Sequence, residues 1–275
     1  MSRKRIVAGL SLSWILIGAA WLSAQDQPPP VITTDRPAIT DSSLVVPRGD
    51  LVVENGFAET ASQGQRSFDF PETLARFGIT SKTELRFNPP DYFNNFNNGI
   101  SFGSGAGDLS LGVKQQLVAK TGFDASLVVA LSFPTGAKAV SSHGYDPQFL
   151  VPWSHPLSTN WTAAGMFALL WPTEPSLTGG SRRNLTGQVS FLLDRQITSR
   201  WDTFTEYAGD FPQRGGPQHL LHLGTAFKVT RNQQLDFHVG FGLSSAAVDH
   251  FIGFGYSFQV QAMPRERRMV DLSAK

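Results

Sequence analysis

Between Asp249 and Val260 the side chains of Ile252, Phe254, Tyr256, Phe258 and Val260 fall on one phase of a two-residue repeat, and Gly253, Gly255, Ser257 and Gln259 fall on the other. Successive side chains of an extended strand point to opposite faces, so this stretch builds a strand with one aromatic face and one small, polar face. That division suits a strand with lipid on its outer side and a polar lumen on its inner side. If so, the preceding chain should be a series of such strands closed into a cylinder.

Eleven further stretches fit: 51–60, 73–79, 83–88, 106–117, 124–133, 145–154, 160–171, 183–194, 201–208, 218–229 and 235–243. In the fifth of these, Leu127, Val129, Leu131 and Phe133 oppose Ser126, Ala130 and Ser132. The first, LVVENGFAET, alternates imperfectly and is the strand the last one should meet. A Lys or Arg facing lipid at the bilayer midplane costs about 2 to 4 kcal/mol, so mid-strand charges belong on the inner phase. Arg76, Glu84, Arg86, Lys114, Asp202, Glu206, Lys228 and Asp236 all fall there, and with Gln148, His222 and His238 they form the expected lumen lining and solute path. Arg195 breaks the phase, but beside a short turn, where the depth penalty is small.

The connections 80–82, 119–122, 156–159, 197–200 and 230–232 are short, whereas 61–66, 88–105, 134–144, 172–181, 209–217 and 244–248 are mostly longer. Short periplasmic turns and long outer loops are the habit of bacterial membrane barrels, and an even strand count puts both chain ends in the periplasm. Trp153, Trp161 and Trp201 lie beside short turns and Trp171 beside a long loop, as two interfacial aromatic girdles would require. The fold expected is all-β, an antiparallel transmembrane barrel of about 12 strands, with 10 or 14 as alternatives. The glycine- and asparagine-rich stretch 88–105 reads as an outer loop, and its run Tyr92 to Asn98 either stays outside or folds inward.

Residues 1–24 read as a cleaved signal peptide: Arg3, Lys4 and Arg5, an apolar run from Ile6 to Leu22, then Ser23 and Ala24. An uncleaved anchor is the alternative, at a length short for spanning. Without these residues, 20 Lys and Arg face 22 Asp and Glu, and no basic stripe suggests nucleic acid. Residues 25–48, rich in proline, form an extended periplasmic segment or a plug, in which Asp35 and Arg36 should pair with lumen charges such as Arg86 or Glu84. The barrel proper covers 49–260, and 261–275 is a basic periplasmic tail. The absence of cysteine excludes a disulfide scaffold, a thiolate metal site and an acylated anchor.

Several short motifs carry a family resemblance. Thr34, Asp35, Arg36 and Pro37, then Pro47, Arg48 and Gly49, then Val53 to Phe57, resemble the opening of the outer-membrane family described as MetA-pathway of phenol degradation. Gly78, Ile79 and Thr80 with Glu84, Leu85 and Arg86, Gly107 with Asp108, and Phe133 to Gly136 are similar to its later units. The strand at Asp249 also resembles the C-terminal targeting strand of outer-membrane barrels, although a tail follows it. The family resemblance implies a transporter-like barrel for aromatic or other hydrophobic compounds.

Candidate chemistry is sparse. His219 and His222 face opposite sides of a strand and cannot chelate together. His222 and His238 should be direct or diagonal neighbours across the turn at 230–232, in a solvated lumen network with Lys228 and Asp236. No G-x-S-x-G elbow occurs, and Gly103, Gly105 and Gly107 lack the Lys and helix of a phosphate loop. No catalytic residue, metal or cofactor is expected. The expected function is passive uptake or efflux of small solutes in the bacterial outer membrane. Outer-membrane lipid, the barrel assembly machinery and the solute are the expected partners. A secreted soluble β-sandwich binding protein and an outer-membrane hydrolase are the alternatives.

Overall fold

The computed structural model describes residues 31–175 and 180–264, so the expected signal peptide and most of the basic tail lie outside the described residues. The strands are β1 (Asp50–Ser62), β2 (Gln65–Phe70), β3 (Leu74–Gly78), β4 (Thr83–Asn88), β5 (Tyr92–Asn97), β6 (Ile100–Ala106), β7 (Leu109–Lys120), β8 (Phe123–Phe133) and β9 (Asp146–Pro156). They continue with β10 (Trp161–Leu170), β11 (Thr173–Pro175), β12 (Ser181–Arg183), β13 (Thr186–Thr198), β14 (Trp201–Pro212), β15 (Gln218–Thr230), β16 (Gln233–Gly242) and β17 (His250–Gln261). All but β11 and β12 join one antiparallel sheet that closes where β17 meets β1, from Asp50↔Gln261 to Ala61↔His250.

Fifteen strands make twelve staves, because three staves are each built from two collinear segments: β2 with β3, β4 with β5, and β6 with β7. Pro71 interrupts the first, Pro89 and Pro90 the second, and Gly107 with Asp108 the third. Proline has no N–H to give the ladder, so pairing lapses between Ala75↔Phe87 and Phe70↔Tyr92 and resumes in the same register. Side chains tie the seam instead: Thr73 N donates to Asp91 Oδ1 (3.0 Å) and Asn88 Nδ2 donates to the Thr73 carbonyl (3.3 Å).

The connection pattern needs two corrections. The stretch 88–105 is not a loop but the hairpin β5–β6, turned at Asn98 and Gly99, and Tyr92 to Asn97 is a strand of it. The connection at 61–66 is a tight turn whose central Gln63 and Gly64 have φ of 49° and 80°, the mirror-image geometry that suits strand twist. Beyond the proline breaks Phe70, Tyr92, Ile100 and Phe102 are still exposed, but the Asn, Ser and Gly between them blur the alternation that marks a strand in sequence. Likewise the stretch 183–194 is displaced: β13 begins at Thr186, and Ser181–Arg183 pairs with Thr173–Pro175 in a small hairpin of the long loop.

Burial is inverted relative to a soluble sheet. Phe254 and Phe191 are 58% and 50% exposed on the outer phase, while Arg76, Glu84, Lys114, Glu206 and His222 are wholly buried on the inner one. A β-sandwich would bury the aromatics between layers and leave the charges in water; the soluble alternative therefore fails, and the apolar exterior is a lipid-facing band. Trp161 and Trp201 are exposed at the short-turn end, with Arg195 5.3 Å above the Trp161 ring, and Trp153 stacks on Phe123. Trp171 packs edge-on against Phe149 at the long-loop end.

Candidate functional site

An irregular segment in a lumen must still satisfy its peptide groups, and residues 31–49 do so on the barrel wall. The segment enters at the short-turn end, where Ile32 N donates to the Arg231 carbonyl (2.8 Å). Three inward wall carboxylates then accept its amides. Glu54 of β1 takes Asp35 N (3.0 Å) and Arg36 N (2.8 Å), Glu206 of β14 takes Ile39 N (2.9 Å) and Thr40 N (2.7 Å), and Glu84 of β4 takes Val46 N (2.7 Å). Wall donors meet its carbonyls in turn. Arg76 reaches Thr33 and Leu44 at 3.1 Å, Lys114 reaches Ser42 at 2.8 Å, and Ser126 reaches Ser43 at 2.5 Å. Apolar packing is slight by comparison, a cluster of Ile32, Val46 and Val52.

The Thr34-Asp35-Arg36-Pro37 motif lies at the centre. Asp35 meets Arg86 at 2.5 Å, Lys114 at 3.0 Å and Arg76 at 3.3 Å. Burial alone would raise the Asp35 carboxyl, but these three cations outweigh it and hold the group far below the ordinary carboxylate range. Asp41, 3.1 Å from Arg86, goes the other way: burial, with Asp35 nearby, raises it despite the guanidinium. Arg36 bridges Glu72 (2.6 Å) and Asp236 (3.3 Å); burial works against its charge, and the two carboxylates more than restore it. Room for Arg36 comes from the facing pair Gly56↔Gly255, where an added Cβ would sit 2.3 and 2.5 Å from guanidinium atoms.

The other expected lining residues divide into two groups. His222 and His238 are diagonal neighbours, Nε2 to Nδ1 at 3.0 Å, and Glu206 Oε2 lies 2.7 Å from His222 Nδ1. Both imidazoles are buried in the wall, and Thr40 Oγ1 links Glu206 to Ser190 Oγ at 2.5 Å. The Glu206–His222 pair is an acid–base dyad without a nucleophile, since the nitrogen a hydroxyl would need is engaged by His238. Lys228 pairs with Asp202 at 2.5 Å and both line a cavity of about 320 Å³ between the segment and the β9–β15 wall. Gln148 faces inward opposite Ala130 and Leu170, near the long loops. A second cavity of about 460 Å³ opens there, lined by Glu174, Arg182, Asn184, Asp210 and Arg214 among others. Sequence reasoning omitted Glu54, Glu72 and Ser190 from the site. Glu54 was findable as an inward charge, had the phase of the first strand been followed through it.

Comparison with known proteins agrees with this architecture. No curated protein sequence matches the chain. Among solved structures it is similar to the COG4313 outer membrane channel from Pseudomonas putida F1, at 11% identity and a TM-score of 0.60, over 79% of this chain and 98% of that one. It is also similar to the NanC porin (11% identity, TM-score 0.54, 76% and 100% covered) and the KdgM porin (8%, 0.51, 75% and 98%). At such identities the likeness shows a shared fold, the closed barrel of outer-membrane porins. Residues 34–260 match the family model for the MetA-pathway of phenol degradation, and the chain belongs to that family.

Proposed function

We propose that this protein is an outer-membrane channel for small solutes, exported with removal of residues 1–24, with its short turns in the periplasm and its N-terminal segment as the gate. One observation carries the reading: a segment inside a charged lumen is attached by polar contacts, with few apolar ones. Polar contacts can be traded for water or solute at modest net cost, so such a segment can move without dismantling the barrel. The family description supports small aromatic compounds as the solute. The solute path joins the 460 Å³ mouth to the 320 Å³ cavity at Asp202 and Lys228 once the segment moves off the buried wall residues Glu206 and His222. Movement is by diffusion, since no step in this path calls for covalent chemistry.

Planar-bilayer conductance and liposome swelling test this on the mature chain and on a variant lacking residues 31–45. Flux through both, greater in the deletion variant, is the expected result. Absence of flux in both, from protein that has inserted, would overturn the channel.

A further inference from the structure

The residues that hold Asp35 differ in how far they depend on it. Arg76 is committed to the wall: Nε and Nη2 donate to the two oxygens of Glu84 (2.8 and 3.0 Å), and Nη1 donates to Glu54 (3.1 Å). Arg86 and Lys114 are not. Apart from Asp35, the carboxylates near Arg86 are Asp41 of the same segment and Glu84 at 3.4 Å, and the one near Lys114 is Glu84 at 3.8 Å. Glu84 is already taken by Arg76. On the wall side, three cations face only Glu54 and Glu84, leaving one positive charge over. Asp35 supplies the missing anion from the segment, and Asp41 adds a second carboxylate beside Arg86.

The geometry at Asp35 is that of a bound carboxylate. Oδ1 lies 3.0 Å from Lys114 Nζ and Oδ2 lies 2.5 Å from Arg86 Nη1, so its two oxygens bridge two cations on the neighbouring strands β4 and β7. The Ser42 amide, 2.9 Å from Oδ1, is the contact from its own segment. Arg86 stands opposite Gly112, which contributes no side chain to the space beside it. The 320 Å³ cavity adjoins Asp35 and Asp41 and has apolar lining at Leu44, Ala164, Leu192 and Phe204; Arg86 and Lys114 do not line it, so a small acid held there reaches the two cations only as Asp35 gives way.

We propose that Arg86 and Lys114 form a carboxylate-binding site on the barrel wall, that Asp35 occupies it as a tethered ligand, and that a carboxylate-bearing solute competes with Asp35 and releases the segment. A neutral phenol, with one oxygen, cannot bridge both cations, so the site favours small organic acids over phenols. The inference rests on the reading of the chain as a solute channel.

The test uses mature protein in detergent, benzoate as the probe, and phenol and chloride as controls. Asp35→Asn removes the competing charge and is expected to tighten benzoate binding by about tenfold in titration calorimetry, with phenol unaffected. The double variant D35N/K114Q should lose the gain. Folded D35N that binds benzoate no better than wild type, or a gain that survives K114Q, would overturn the site. Should D35N fail to fold, hydrogen exchange on the wild-type protein decides: benzoate, but not equal chloride, should speed exchange in residues 32–44, and equal rates refute the proposal. Binding is read separately from conductance. Benzoate binding by D35N without conductance keeps the site and removes the channel; conductance without binding does the reverse.

Discussion

At the residue scale the interior is governed by charge in a place that excludes water. Arg76 touches Glu54, Glu84 and Asp35 and is wholly buried. Removing one partner of a buried ionic cluster typically costs about 3 to 5 kcal/mol, because the charges left behind are uncompensated. Arg76→Met should therefore lower the temperature at which the barrel loses its compact form on a detergent gel, whereas Arg66→Met, in an exposed pair with Glu59, should not. The two segment aspartates also predict a titration order. Asp35 is depressed, so its contribution to holding the segment is complete above its ordinary value of 3.8 and is lost only well below it. Asp41 is raised, so it takes up its proton first as pH falls. Carboxyl carbon NMR of Asp-labelled protein should show Asp41 titrating while Asp35 stays ionised; simultaneous titration would contradict the assignment.

At the element scale the notable departure from regularity is the seam across the second to fourth staves. Lipid offers backbone groups no partner, so a break in a membrane ladder requires either prolines, which remove donors, or side-chain substitutes. Both occur here, with Pro71, Pro89 and Pro90 flanking the Thr73–Asp91 and Asn88–Thr73 bonds. Local opening free energy follows the density of backbone hydrogen bonds. Hydrogen exchange should thus be faster at 72–74 and 88, 91 than at 52–58 in β1, which pairs continuously with β17. Equal protection would mean that the side-chain ties close the seam as firmly as a ladder does. The first strand shows how pairing rescues a weak sequence signal: Glu54 and Asn55 blur its alternation, yet its register with β17 is unbroken.

For the whole molecule, the consequence of an apolar exterior over a charged interior is that folding depends on lipid or detergent to cover the outer face. A closed barrel has no edge from which to unravel, so it should stay compact in detergent until heated. The protein is expected to fractionate with membranes and to migrate faster unheated than boiled. Identical migration, or recovery in the soluble fraction, would contradict the fold.

Much of this fold was legible in the chain because the bilayer imposes one simple rule on it. Every lipid-facing position must be apolar, so the period-two phase, the inward charges and the last strand's aromatic face all read directly from residues such as Phe254, Phe237 and Lys114. The rule is masked where Asn, Ser and Gly fill a strand, as in β5 and β6, and where a loop hairpin such as β11–β12 continues the alternation into β13. Asp35 and Arg36 could be marked as partners for lumen charges by their chemistry alone. That Asp35 would bridge Arg86 and Lys114, and that Glu54 and Glu206 would receive the segment's amides, depended on strands far apart in sequence closing round a common lumen. Distances across that lumen are set by barrel closure and strand register, and only the tertiary structure fixes them.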